Sequence, residues 1–115
     1  IIMKKLALLA VLAMLTTADL LSSPAGASVG AWVPVQATVT VNGRADASTS
    51  AAIVYTYQGG QIVYINCWKP GTTINGDNIW YHTTPNPNST TVPRSWVAGY
   101  YLTTGADPTS DVPHC

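Results

Sequence analysis

The chain has 115 residues, 47% of them hydrophobic and only 9% charged, with five lysines and arginines against five acidic residues. Such a balance offers no basic patch to neutralise phosphates, which argues against a nucleic-acid partner. The low charge and the tryptophans and tyrosines argue against a chain held disordered by self-repulsion.

The first predicted element is a leader. Lys4 and Lys5 precede an unbroken apolar run from Leu6 to Leu15, and Ala25-Gly26-Ala27 fits the small-x-small pattern cut by signal peptidase. This layout reads as a secretory signal peptide over 1–27, cleaved between Ala27 and Ser28. A spanning helix needs roughly 20 apolar residues. Thr16, Thr17 and Asp19 interrupt the run earlier than that, so no stable membrane span is expected after cleavage. The remainder, 28–115, suffices for a single domain with a modest core.

Strands and turns follow. Thr38 to Val41 alternates, with Val39 and Val41 expected on one face. Ile53 to Tyr57 is β-branched and aromatic, Gly59-Gly60 marks a turn, and Gln61 to Trp68 reads as a returning strand, so the two runs predict a hairpin. Lys69-Pro70-Gly71 is expected to end that strand. Asn75-Gly76-Asp77 signals a second turn into Asn78 to Thr84, and Ser95 to Val97 a last short strand. The pattern lacks helical periodicity after residue 27. It predicts an all-β fold, a small barrel or sandwich, with the strands between about 36 and 102. Pro85 to Pro93, with three prolines, reads as a loop. Residues 103–115 read as a polar tail.

The cysteines give that tail a place. An even pair, Cys67 and Cys115, behind an export signal reads as a disulfide. Closing a loop of that length is worth about 4 kcal/mol in the chain-entropy model. Reduction would then be expected to loosen everything after Leu102.

The ordered motifs resemble bacterial SH3-like domains, in particular short secreted actinobacterial members. Val41-Asn42-Gly43-Arg44 with Ala45 to Ser50 and Ile53-Val54 is similar to that family's opening signature. Gly60-Gln61 with Val63, then Trp80, then Trp96 to Leu102 resemble its later elements. Gly43 and Asp46-Ala47 depart from the commonest pattern, in the first loop. The resemblance implies a half-open barrel of about five strands and a role in binding, with several family members docking wall hydrolases onto peptidoglycan.

The residue chemistry also favours binding over catalysis. A nucleophilic enzyme needs a nucleophile, a base and an orienting group within reach. Only His82 and His114 offer imidazole, and a disulfide cysteine is no thiolate. The acidic residues after the leader, Asp46, Asp77, Asp107 and Asp111, stand in turns or the tail, where solvated turn-makers are the usual role. Two distant histidines do not make a metal set. No catalytic residue, metal or cofactor is therefore expected.

The candidate binding residues are aromatic. Strand period separates Ile79 and Tyr81 from Trp80 and His82. If Ile79 faces the core, Trp80 faces outward; a bulge that resets the phase would instead make it core, and the sequence leaves both open. Trp80, Trp96, Tyr101 and Tyr57 together would suit an extended ligand, since flat rings supply contact area at low entropic cost. Trp68 is expected to pack on the bridge, and Arg44 to hydrogen-bond the loop that follows it rather than to receive a carboxylate. The sequence thus predicts a secreted, non-catalytic module for cell-wall peptide or glycan. The alternative is a small secreted effector, an inhibitor, antimicrobial or signalling protein, acting on an extracellular protein.

Overall fold

A computed structural model describes residues 32–85 and 91–115. The expected signal peptide, its cleavage point at Ala27–Ser28 and residues 86–90 of the proline-rich loop lie outside the described residues.

Six strands form one antiparallel sheet: β1 (Val33–Gln36), β2 (Val41–Arg44), β3 (Ile53–Tyr57), β4 (Ile62–Ile74), β5 (Asp77–Thr84) and β6 (Trp96–Ala98). Their spatial order is β1-β4-β5-β6-β2-β3. A 3₁₀ turn, Gly99–Tyr101, follows β6. The strand beyond the expected five or so is β1, which pairs from Val33↔Ile65 to Gln36↔Ile62. Pro34 fits there because an edge strand has one side that needs no N–H donor.

The order forces the sheet to curl. Residues 58–61 join β3 to β4, and fully extended they span at most about 18 Å. A flat sheet would set strands four places apart by about 19 Å, and this connection is folded, with Gln61 N–H donating to the Gln58 carbonyl at 3.0 Å. The two ends of the sheet therefore approach each other in a half-open barrel. The Ala37↔Leu102 bridge holds this closure, and the Thr38 N–H donates to the Tyr101 carbonyl at 2.9 Å.

The curl overturns the expected hairpin. β3 pairs with β2 and not with β4, so the turn at Gly59-Gly60 carries the chain around a barrel corner. Nor does Lys69-Pro70-Gly71 end the strand. β4 continues to Ile74, with Pro70 opposite Ile79. β1 covers β4 only as far as Ile65. Among the described residues, β4 at Pro70 has a strand on one side only, and the missing N–H costs no ladder bond there. Finally, Val39 and Val41 do not share a face. The chain bends at 38–39, leaving Val39 49% exposed and Val41 8%.

The barrel interior holds Val35, Tyr57, Val63, Ile65, Tyr81 and Val97 with their neighbours. Asn75-Gly76 makes the tight β4–β5 turn, both residues at positive φ (50° and 86°), the geometry that an Asn-Gly hairpin favours. Gly43 faces Ser95 and the Tyr57 ring so closely that a Cβ would collide with Ser95. The glycine there makes room for the buried Thr83–Ser95 hydroxyl pair, 3.1 Å apart.

The tail is tied and also packed. Cys67 and Cys115 form the expected disulfide, with Cα atoms 4.9 Å apart. The Trp68 N–H donates to the Pro113 carbonyl and the Cys115 N–H to the Trp68 carbonyl. This adds a short strand-like contact to β4 just past the end of β1. Trp68 packs edge-on against the His114 ring at 4.5 Å, beside the bridge. Upstream, Val112 enters the core and Thr109 is buried. The tail therefore has anchors independent of the disulfide.

Candidate functional site

The outer face of β5 carries the site. Strand phase is kept: Ile79 and Tyr81 point into the barrel and Trp80 lies on the other face with its own cluster. Even so, Trp80 is only 2% exposed. Both alternatives for this residue are thus met in part, since it faces outward by phase and is buried by what folds over it.

Two segments cover it. Residues 45–52 form a loop after β2, and the far arm of β4 bends alongside. The Thr72 N–H donates to the Ala47 carbonyl at 3.1 Å, and the Thr49 N–H to Thr72 Oγ1 at 3.2 Å. Gly71 makes this approach possible, because a Cβ there would strike the Ala47 carbonyl and the Trp80 ring. The indole N–H is satisfied by the Thr72 carbonyl at 2.8 Å, as burial of a tryptophan demands.

Beside this plug lies an open groove of about 390 Å³, within the size range of ligand sites. Trp80 and Ala98 form its floor. Val39, Thr40, Tyr101, Ile74, Thr49, Arg44 and Asn42 also line it. The barrel closure positions one wall, since the Thr38 Oγ1 also donates to the Tyr101 carbonyl. The Arg44 Nη1 donates to the Ala51 carbonyl at 2.9 Å, so it does bond the following loop as expected, while also lining the groove.

The candidate aromatics therefore separate. Trp80 and Tyr101 line the groove together. Tyr57 does not: it is a core residue, 2% exposed, because β3 turns it inward against Gly43 and Tyr55. Trp96 packs against the Trp80 cluster but presents its ring on a neighbouring surface. There the Lys69 ammonium sits 4.3 Å from the ring centroid and His82 lies 5.0 Å away. Lys69 is also paired with Asp46 at 2.8 Å. That contact, with the Ala47 N–H, holds the Asp46 carboxyl below its usual range. Burial, then the charges of Arg94 and Lys69, push the His82 imidazole below its ordinary value.

A third group ties the tail to the barrel end. Asp107 Oδ1 accepts from the Tyr81 hydroxyl at 2.8 Å and from the Thr104 hydroxyl at 2.6 Å. The Thr109 N–H donates to the Tyr81 oxygen at 2.8 Å. Burial and the neighbouring Asp107 carboxyl raise Asp77 to about 6. Burial, aided by Asp107, also raises the Tyr81 phenol. Every partner here belongs to the chain itself, a structural use of the carboxylates.

Sequence reasoning missed Val39 and Ile74 as groove residues. Val39 carries an alternation signal that points it inward, and Ile74 lies past a proline expected to end its strand. Among the described residues, no three His, Cys, Asp or Glu side chains gather as a metal set, and no helix is long and apolar enough to cross a membrane.

Fold and groove define an all-β, disulfide-tied half-barrel with one concave face. No family model matches the chain. It is 33% identical over 109 residues to the uncharacterized protein YraI of Bacillus subtilis (strain 168), covering 91% of this chain and 90% of the relative. The chain belongs to the same family as that protein.

Proposed function

We propose that the protein is a secreted, non-catalytic binding module of the bacterial SH3-like type, which takes an extended cell-wall peptide or glycan in the groove over Trp80. The carrying observation is the groove itself, a concave surface lined by aromatic and aliphatic side chains with a few polar groups, the usual make-up of a recognition site. The order of motifs from Val41 to Leu102 supports the SH3-like reading. The leader-like 1–27 and the disulfide support export.

Retention of the disulfide-bonded secreted form on purified peptidoglycan tests this. The protein is expected to bind, and Tyr101→Ala, which removes a groove-lining ring that also packs against both core clusters, is expected to weaken retention in a variant that denaturation shows to be folded. No retention of the unmodified protein at low salt would sink the proposal.

A further inference from the structure

The groove is one-sided in charge. Arg44 is the sole cation or anion among its lining residues, and none of Asp46, Asp77, Asp107 and Asp111 lines it. The nearest acid along the chain, Asp46, is occupied by Lys69 at 2.8 Å, so it does not compete for Arg44. A guanidinium has five N–H donors, and the bond to Ala51 uses one while holding the head in place. The Asn42 carbonyl oxygen accepts from the Thr56 hydroxyl at 3.0 Å, which leaves its amide N–H groups as donors. The groove thus offers a fixed cation, further donors and an apolar floor.

The aromatics argue against a sugar. Stacking a pyranose needs an open ring face. Trp80 is 2% exposed and so offers no open ring face. The Trp96 ring is flanked by the Lys69 ammonium and by His82. Tyr101 alone does not make a stacking platform.

Resting on the binding-module reading, we infer that the occupant is a peptide segment with a free carboxylate. The carboxylate sits on the Arg44 guanidinium, and an apolar side chain packs among Val39, Tyr101 and Trp80. A half-buried, pre-positioned guanidinium suits a carboxylate because the charge-assisted bond is strong and little ordering remains to be done.

Titration of the disulfide-bonded secreted form tests this with three probes: an acidic cell-wall stem peptide, the same peptide with its carboxylates amidated, and a neutral N-acetylglucosamine oligomer. The acid is expected to bind about tenfold or more tighter than the amide, as a charge-assisted bond implies. Salt should weaken it, and Arg44→Gln should abolish the difference. Should Arg44→Gln lose its fold with the Ala51 contact, the acid-to-amide ratio on the unmodified protein decides alone. Retention on whole peptidoglycan with equal binding of acid and amide, or with tighter binding of the oligomer, overturns the inference and leaves the module reading. Failure to bind the wall or either peptide overturns both.

Discussion

Two excursions fold back onto this barrel, and they are held in opposite ways. The tail, 103–115, is fixed by a covalent bridge, a core valine and the Tyr81–Asp107–Thr104 hydrogen bonds. The loop 45–52 has no covalent tie. It stays down because Gly71 lets two backbones meet over Trp80. The tail sends Val112 into the core, whereas the loop buries a tryptophan and contributes Thr49 to a groove. The loop is held by non-covalent ties alone: the Ala47–Thr72, Thr49–Thr72 and Arg44–Ala51 hydrogen bonds and the Asp46–Lys69 pair.

The contrast can be broken from either side. Trp80→Ala should have the largest effect, about 3–5 kcal/mol as for other large aromatic deletions, read by chemical denaturation. It should also release 45–52 in hydrogen exchange while the tail stays protected. Loss of protection in both regions together would show that the loop and the tail are not separate units.

Replacing both cysteines by serine should cost somewhat less, at most about 4 kcal/mol in the chain-entropy model. Hydrogen exchange should then rise at 113–115 and remain slow at Tyr81 and Val112. This revises the sequence-based expectation of a tail loosened from Leu102 onward, because Val112 and Asp107 hold it without the bridge. Fast exchange throughout 103–115 would restore that expectation.

Gly71→Ala adds one methyl where no space exists, and overpacking of this kind costs about 1–3 kcal/mol. The damage should be local, lifting 45–52 and weakening ligand retention with little change in the tail. A variant as stable as the parent would mean that the backbones separate freely and that the close approach is not required.

Two titrations act on stability in opposite directions as pH falls. Asp77 is raised above its ordinary 3.8 to about 6, so the folded chain holds that proton longer than the unfolded one. Its stabilising contribution is complete below the unfolded value and is lost as pH rises through about 6. His82 is lowered, so its contribution is complete above its unfolded value and is lost as pH falls. Asp77→Asn should remove a fall in stability between about pH 4 and 6, and His82→Gln should remove a loss that sets in as pH drops below the ordinary histidine value. Parallel curves for the two variants would refute the assignment. The smallest effect belongs to Asp46→Asn. It breaks the exposed pair with Lys69 and should shift Tm little, less still at high salt.

Much of this was legible locally. Alternation gave the strand character of β5 and left the placing of Trp80 open, and Asn75-Gly76 gave its turn. Arg44 was assigned to its loop, and the paired cysteines to a bridge. Those features depend on near neighbours or, for the cysteines, on there being only two. The misreadings share another cause. Gly59-Gly60 carries the same turn signal in a hairpin as in a corner between distant strands. Pro70 marks the end of a strand unless one side of that strand is uncovered.

The sequence by itself determined an all-β chain with a tied terminus, because β-propensity, turn residues and cysteine number act within a few residues or by counting. Tertiary structure decided which strands are neighbours, that Tyr57 is core, and that Trp80 is buried on the outer face beside a groove. Those outcomes depend on how the sheet curls and on what the 45–52 loop meets at Gly71. They are contacts between segments far apart in the chain, and no local pattern specifies them.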